Sequence, residues 1–278
     1  MGDKTSSKIS ETKHETVSKR NNPVLRPIIL YLVPPGTVIL VLAVLWEAWV
    51  RIKDVPIYLL PPPSVVLDRL IGDIGFFGIH ASITVIEAAG GFILGSSIAL
   101  VLGILMAHSG VAERTLFPIA LLIKVTPIVA VAPLFVIWFG FGAVPKILIA
   151  ALITFFPVMV NTLIGLKSVN PGALDYLIAL DASDQEILMK LRFPSALPYI
   201  FAAFRIALPL SVIGAVVGEW FTGDRGLGSV IIVAHNNIDM PTLFSAVITL
   251  AAIGVALTVA LSYLEKKVLF WHDAYITS

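Results

Sequence analysis

Six stretches of roughly twenty mostly apolar residues recur along the chain, near 28–50, 83–107, 116–138, 146–166, 198–218 and 241–264. A helix needs about 20 residues to cross ~30 Å of hydrocarbon, so each stretch predicts one membrane-spanning helix. None alternates apolar and polar positions with period two over about ten residues, which disfavours a transmembrane barrel. The expected fold is therefore an all-α polytopic membrane protein of about six helices over residues 25–278. Residues 1–24 stand apart: they are polar, rich in Ser, Thr and Glu, and carry Lys4, Lys8, Lys13, Lys19 and Arg20. Such a segment cannot bury enough apolar surface to fold and reads as a disordered tail. The first apolar run is long enough to stay as an anchor, and it ends in "RIKDVPIYLLPPPS" with no small-residue cleavage pattern.

Finer patterning sits on this frame. In the second span Glu87, Gly91, Gly95, Ala99 and Gly103 recur every four residues, giving one helix face on which another helix can pack closely. Glu87, at the end of that face, is expected to be buried in protein rather than in lipid. Pro127, Pro133, Pro157 and Pro209 fall within spans, where each removes a helix hydrogen bond. They predict kinks that shape the bundle or, alternatively, partly unwound segments lining a water-filled path. Between the first two spans, "LLPPPSVVLDRLIGDIG" predicts a short amphipathic helix at the membrane surface.

The least membrane-like interruption is "LDASDQEILMKLRFPSALPYI", Leu180 to Ile200, within a connection spanning 167–197. Ser183 and Glu186 fit a capping box, which places a helix start at Ser183. Pro194 and Pro198 bound its end after two to three turns, and Asp175 to Ala179 predict a preceding turn. Ile187, Leu188 and Leu191 then form an apolar patch flanked by Asp184, Glu186, Lys190 and Arg192, a surface suited to a protein partner.

Composition agrees with the pattern: 58% of the 278 residues are hydrophobic and 13% charged, outside the range of a soluble domain. Six spans put both termini on one side. The tail with Arg114, Lys167, Lys190, Arg192, Lys266 and Lys267 outweighs Arg51, Lys53, Arg69, Lys146 and Arg225, so the termini and the 167–197 connection are expected to be cytoplasmic, in an inner or plasma membrane. Trp46, Trp49, Trp138 and Trp220 then fall at outer span ends, as an aromatic belt requires. A net charge of +1 gives no reason to invoke nucleic acid, and with no cysteine a thiolate metal site is excluded. His80, His108, His235 and His272 lack ligand spacing, so no metal is expected.

Glu87, Lys124, Arg205 and Glu219 interrupt apolar spans, and each needs a polar partner, water or an interfacial position. Lys124 and Arg205 lie within about two turns of a predicted cytoplasmic end and could snorkel. Glu219 precedes the Gly-rich "FTGDRGLG", which could shape an outer mouth. Glu87, Lys124, Pro127 and Glu219 are the candidate path residues.

The 167–197 connection resembles the "EAA" loop of ABC-type importer permeases, whose pattern is E-A-A, three residues, Gly, nine residues, then Ile-x-Leu-Pro. Here it meets Asp175, Tyr176 and Leu177, then Asp181, then Leu191, Phe193 and Pro194. Spacing is kept, while Asp181 replaces the turn glycine, so a left-handed residue is expected from a side chain that tolerates it only moderately. "TPIVAVAPLFVIWFGFG", "FFPVMVNTLIGL" and "LPYIFAAFRIALPLSVIGAVVGEW" extend the likeness to the nitrate/sulfonate/taurine/bicarbonate permeases, from about Leu59 to Lys267. "TVIEAAGGF" and "GEWFTGDRGLG" resemble the branch associated with hydroxymethylpyrimidine or riboflavin.

The resemblance implies a permease subunit working as a dimer with a second copy or a paralogue. It also implies an exported solute-binding protein outside and a separate ATPase subunit inside. ATPase coupling would rest on Asp175, Asp181, Ala182, Ser183, Glu186, Ile187, Leu188, Leu191, Phe193 and Pro194. The chain lacks a G-x-x-x-x-G-K-[ST] phosphate loop, so it cannot by itself grip ATP by that route; no cofactor of its own is expected, and ATP would be held by the partner. Flipping a two-state transporter from about 1:99 to 99:1 takes ~5.5 kcal/mol, which demands a stiff, well-docked element. The residues by themselves also allow an ion-coupled carrier or channel, with Glu87 or Glu219 binding the proton. A membrane enzyme ranks third, for want of a nucleophile, base or metal constellation.

Overall fold

The apolar runs fold into helices, and the computed structural model describes them over residues 25–271, with side chains from residue 36. The predicted tail at 1–24 lies outside the described residues. Eleven helices are described: α1 (Leu25–Ile52), α2 (Pro63–Gly72), α3 (Ile74–His108), α4 (Gly110–Val125), α5 (Ile128–Phe139), α6 (Ala143–Lys167), α7 (Pro171–Ala179), α8 (Asp184–Ile187), α9 (Phe193–Thr222), α10 (Leu227–Asn236) and α11 (Met240–Val268). No strand occurs among the described residues. Five predicted spans appear as α1, α3, α6, α9 and α11. By length and apolar character α3, α6, α11 and the run Asp184–Thr222 can each cross a membrane.

The third predicted span is not one helix. α4 and α5 meet at 96° across a two-residue break. Thr126 (ψ 125) and Pro127 (ψ 111) are both extended. The cause is local: the proline ring disfavours helical geometry in the residue before it, and Pro127 has no N–H to continue the ladder. Pro133, Pro157 and Pro209 instead sit inside unbroken helices. The surface helix expected after the proline run is α2, with proline in its first turn.

The core is built around α6, packed between α3 and α9. The four-residue spacing of α3 works as expected: a Cβ on Gly95 would lie 2.9 Å from Ala151 Cα and closer still to Thr154 Oγ1, and one on Gly103 would lie 2.8 Å from Thr162 Cγ2. From the other side, Gly214 and Gly218 of α9 leave 2.6 Å and 2.8 Å to the Cα atoms of Ala150 and Lys146. Backbones approach this closely only where side chains are absent. Met106, Phe155, Met159, Leu163 and Ala203 then fill the space among α3, α4, α6 and α9. Apolar side chains such as Leu42 and Leu45 of α1 and Val255 and Val259 of α11 face outward, as a lipid-facing surface does.

Candidate functional site

Three constellations carry the polar chemistry. The first is the connection from α6 to α9. Asn170 caps α7, its Oδ1 accepting from the Gly172 and Ala173 amides at 2.9 and 3.3 Å, with Pro171 in the first turn. α7 ends in a Schellman turn: the Ala182 amide donates to Leu177 O (3.1 Å) and the Asp181 amide to Ile178 O (3.0 Å). Asp181 takes the left-handed position, φ 53°, where the importer pattern has glycine. Ser183 then starts α8 with both bonds of the predicted capping box: its Oγ accepts from the Glu186 amide (3.3 Å), and Glu186 Oε2 accepts from the Ser183 amide (3.1 Å). Lys190 donates to Glu186 Oε1 at 2.9 Å and, with the Ser183 donors, holds that carboxyl down at about 2.

Beyond α8 the helix does not stop. A π-turn over Leu188–Arg192, closed by the Phe193 amide on Leu188 O, leads directly into α9. Asp184–Thr222 is thus one run of 39 helical residues. The expected end at Pro194 or Pro198 is corrected: Pro194 falls in the first turn of α9 after the π-turn, and Pro198 is carried inside the helix. The exposed apolar surface also differs from the expected one. Ile187 is buried, and Leu188 packs near Leu166, Ala196 and Ile200. The side chains facing solvent are Tyr176, Ile178, Leu180 and Met189, each more than half exposed. Asp175, Asp181, Ser183 and Glu186 are exposed, while Ala182, Leu191, Phe193 and Pro194 are half-buried. Arg192 reaches the end of α3, donating to Ala107 O at 3.3 Å.

The second constellation is a groove of about 550 Å³ at the α4–α5 break, lined by Ile123, Lys124, Thr126, Phe156 and Asn161 among others. The Lys124 ammonium sits 4.6 Å from the centre of the Phe156 ring.

The third lies at the far ends of the same helices. Lys146, expected as a surface cation, is 1% exposed and its Nζ donates to Glu87 Oε1 (3.0 Å), Asp224 Oδ1 (2.8 Å) and Arg225 O (3.1 Å). All three of its donors are used. Burial alone would raise the Asp224 carboxyl, but the Lys146 ammonium and the Arg225 amide outweigh it and hold that group below its ordinary value. Glu219 is fully buried, accepting from the Thr84 hydroxyl at 2.7 Å and from the Gly228 amide, while Thr84 Oγ1 accepts from the Leu227 amide at 2.9 Å. The glycines of "GDRGLG" make this wrap possible: a Cβ on Gly228 would lie 2.7 Å from Glu219 Oε2, and Gly226 (φ 102°) would clash harder. Of the four candidate path residues, Lys124 borders the groove and Pro127 sits at its break. Glu87 and Glu219 are brought together in the buried network, away from it.

Lys146, Asp224 and Thr84 were missed because each partner lies on a different element. Asn170 could have been found from the Asn-Pro pair that caps and starts a helix.

Residues 99–270 match the family described as binding-protein-dependent transport system inner membrane component. The chain is 38% identical over 239 residues to the riboflavin transport system permease protein RibX of Chloroflexus aurantiacus, covering 85% of this chain and 89% of that one. It is 34% identical to the formylaminopyrimidine transport permease protein ThiX of Halalkalibacterium halodurans (85% and 95% covered). To the taurine transport system permease protein TauC of Escherichia coli it is 31% identical (95% and 97% covered). Among solved structures it resembles a chain of the MetNI methionine ABC transporter in an inward-facing conformation. The TM-score is 0.55 at 18% identity over 70% of this chain and 95% of that one, a likeness of fold.

Proposed function

This chain belongs to the family of binding-protein-dependent transport system inner membrane components and is the membrane-spanning permease subunit of an ATP-driven solute importer; from that premise we propose how its parts divide the work. The groove at the α4–α5 break is the translocation path, completed by a second permease, either a copy or a paralogue. The 168–192 connection docks on the separate ATPase subunit, which holds the ATP. The opposite face receives an exported solute-binding protein, near a cavity of about 350 Å³ bordered by Arg69, His80, Asp224 and Asp239. Both termini lie in the cytoplasm, in keeping with the excess of Lys and Arg on that side. The solute is small, of the vitamin-precursor, sulfonate or taurine kind that the relatives' names carry.

The observation that carries this reading is the continuity of the loop with α9. A Schellman turn and two N-terminal caps fix the path of the chain from α7 into α8. The π-turn then joins them without a hinge residue to a helix that crosses the bundle. Force applied at Tyr176 and Ile178 therefore reaches the core instead of being lost in a flexible linker.

The test is copurification with the cognate ATPase subunit. Ile178→Asp places a charge on an exposed apolar position and should abolish ATPase capture while leaving membrane insertion and the melting profile unchanged. Leu188→Asp puts the same charge against Leu166 and Ile200 and should lower the yield of folded protein. Full ATPase capture and transport by Ile178→Asp would overturn the docking role.

A further inference from the structure

We propose that Lys124 forms, with Asn161 and the uncapped start of α5, a binding site for an anionic group of the solute at the middle of the membrane. The inference rests on the reading of the α4–α5 groove as the path.

The depth of Lys124 follows from the helices around it. Its ammonium lies over Phe156, which is ten residues along α6 from Lys146 and eleven short of Lys167. At 1.5 Å per residue each separation is about 15 Å. Lys167 pairs with Glu113 at 2.6 Å, and Lys124 lies eleven residues beyond Glu113 on α4, which gives about the same distance again. The ammonium is therefore midway between the charged layers at the two ends of α6. A lysine side chain reaches roughly 6 Å from its Cα, too short to carry the charge to either headgroup layer. Snorkelling, the expectation from sequence, fails because α4 begins at Gly110, well before the predicted span.

A charge at that depth requires a counter-charge or water. Among the described residues Lys124 makes no ion pair. The carboxylates on the described spans are already engaged: Glu47 with Arg51, Glu87 with Lys146, Glu219 with Thr84 and the Gly228 amide, Glu265 with Arg205. The described spans of a second copy of this chain would thus bring no free carboxylate to the groove. The remaining lining favours a guest of the opposite sign. Phe156 offers a flat apolar wall and Asn161, its amide NH₂ donating to Pro157 O at 2.8 Å, keeps a second N–H for a ligand. α5 starts at the groove with no side chain capping its first amides, so the positive end of its dipole adds to the lysine field.

The chain has no cysteine, so a single introduced one is the permease's sole thiol, and the cysteine-free parent assembled in the same way gives the background from the other subunits. Asn161→Cys, in the assembled transporter in nanodiscs, is modified with two methanethiosulfonate reagents, an anionic ethylsulfonate and a cationic ethyltrimethylammonium. Each rate is divided by the rate with free 2-mercaptoethanol. The expected result is a preference for the anionic reagent that falls at least tenfold in Lys124→Gln and survives in Lys124→Arg. Reaction with both reagents at a ratio unchanged by Lys124→Gln would overturn the anion site and leave the path standing. Failure of both to react would overturn the path reading, and the site with it. The assay is run in zwitterionic and in anionic lipid. A preference present only in zwitterionic lipid would assign the Lys124 counter-ion to a lipid phosphate and overturn the proposal.

Discussion

Replacing Lys146 with methionine keeps most of the side-chain volume and deletes one charge from the most buried ionic network of the described residues. The loss has three parts, because Nζ serves Glu87, Asp224 and the Arg225 carbonyl, and the side chain is 1% exposed. Asp224, 39% exposed, can turn to solvent; Glu87, at 4%, cannot. Breaking one side of a buried pair costs about 3–5 kcal/mol, most of it from the charge left behind. For a chain of this size that corresponds to a fall in melting temperature of roughly ten degrees. Pairing Lys146→Met with Glu87→Leu removes the stranded carboxylate and should recover most of the loss, giving a coupling energy of about 2 kcal/mol or more. The assay is tryptophan-detected thermal unfolding of the four proteins of the cycle in one detergent. A Lys146→Met protein as stable as the parent, or a double variant no better than the sum of the singles, would refute a stabilising network centred on Glu87.

Two further outcomes follow from the packing and the loop. Gly95→Leu drives a side chain into Ala151 and Thr154, so separation of α3 from α6 should appear as a sharp drop in folded yield on size-exclusion chromatography, where Gly110→Leu, with open space around it, should not. Glu186 titrates at about 2 in the folded loop against an ordinary 4.5, so its contribution to the cap is complete above pH 4.5 and is lost as the pH falls toward 2. Hydrogen exchange at the Ser183 amide, which donates to Glu186 Oε2, should therefore stay protected at pH 4 and lose protection near pH 2, and Lys190→Ala should move that loss upward.

What sequence made legible was whatever depends on neighbours within one helix. Five of the six span lengths, the four-residue small face of α3 and the Ser183–Glu186 cap are local arithmetic, and these stand in the structure. Asp181 in the left-handed position was implied by the resemblance to the importer loop, whose turn glycine it replaces. Relations between elements were not legible. Lys146 looked like a surface cation because its partners, Glu87 and Asp224, come from α3 and the turn after α9. The inward face of the 187–191 segment was mistaken for the outward one because a helix pattern gives a face and not what covers it. The break at Pro127 lay between kink and rupture: Pro157 and Pro209 carry the same lost bond without breaking their helices.

The π-turn at Leu188–Arg192 has a consequence for how this loop can vary. Each residue of an α-helix advances the chain by about 100° around its axis. A π-turn holds one residue more than an α-helical turn while advancing the chain by nearly the same total angle, so the extra residue is absorbed without changing the angular phase between the loop and α9. Deleting one residue there would replace the i→i+5 bond by i→i+4 bonds and leave Tyr176, Ile178 and Leu180 facing nearly as before relative to the face of α9 that packs on α6. This is the one stretch of the run where a residue can be lost with the docking surface still aimed, whereas a deletion in the membrane-embedded part of α9 would displace the Gly214 and Gly218 contacts.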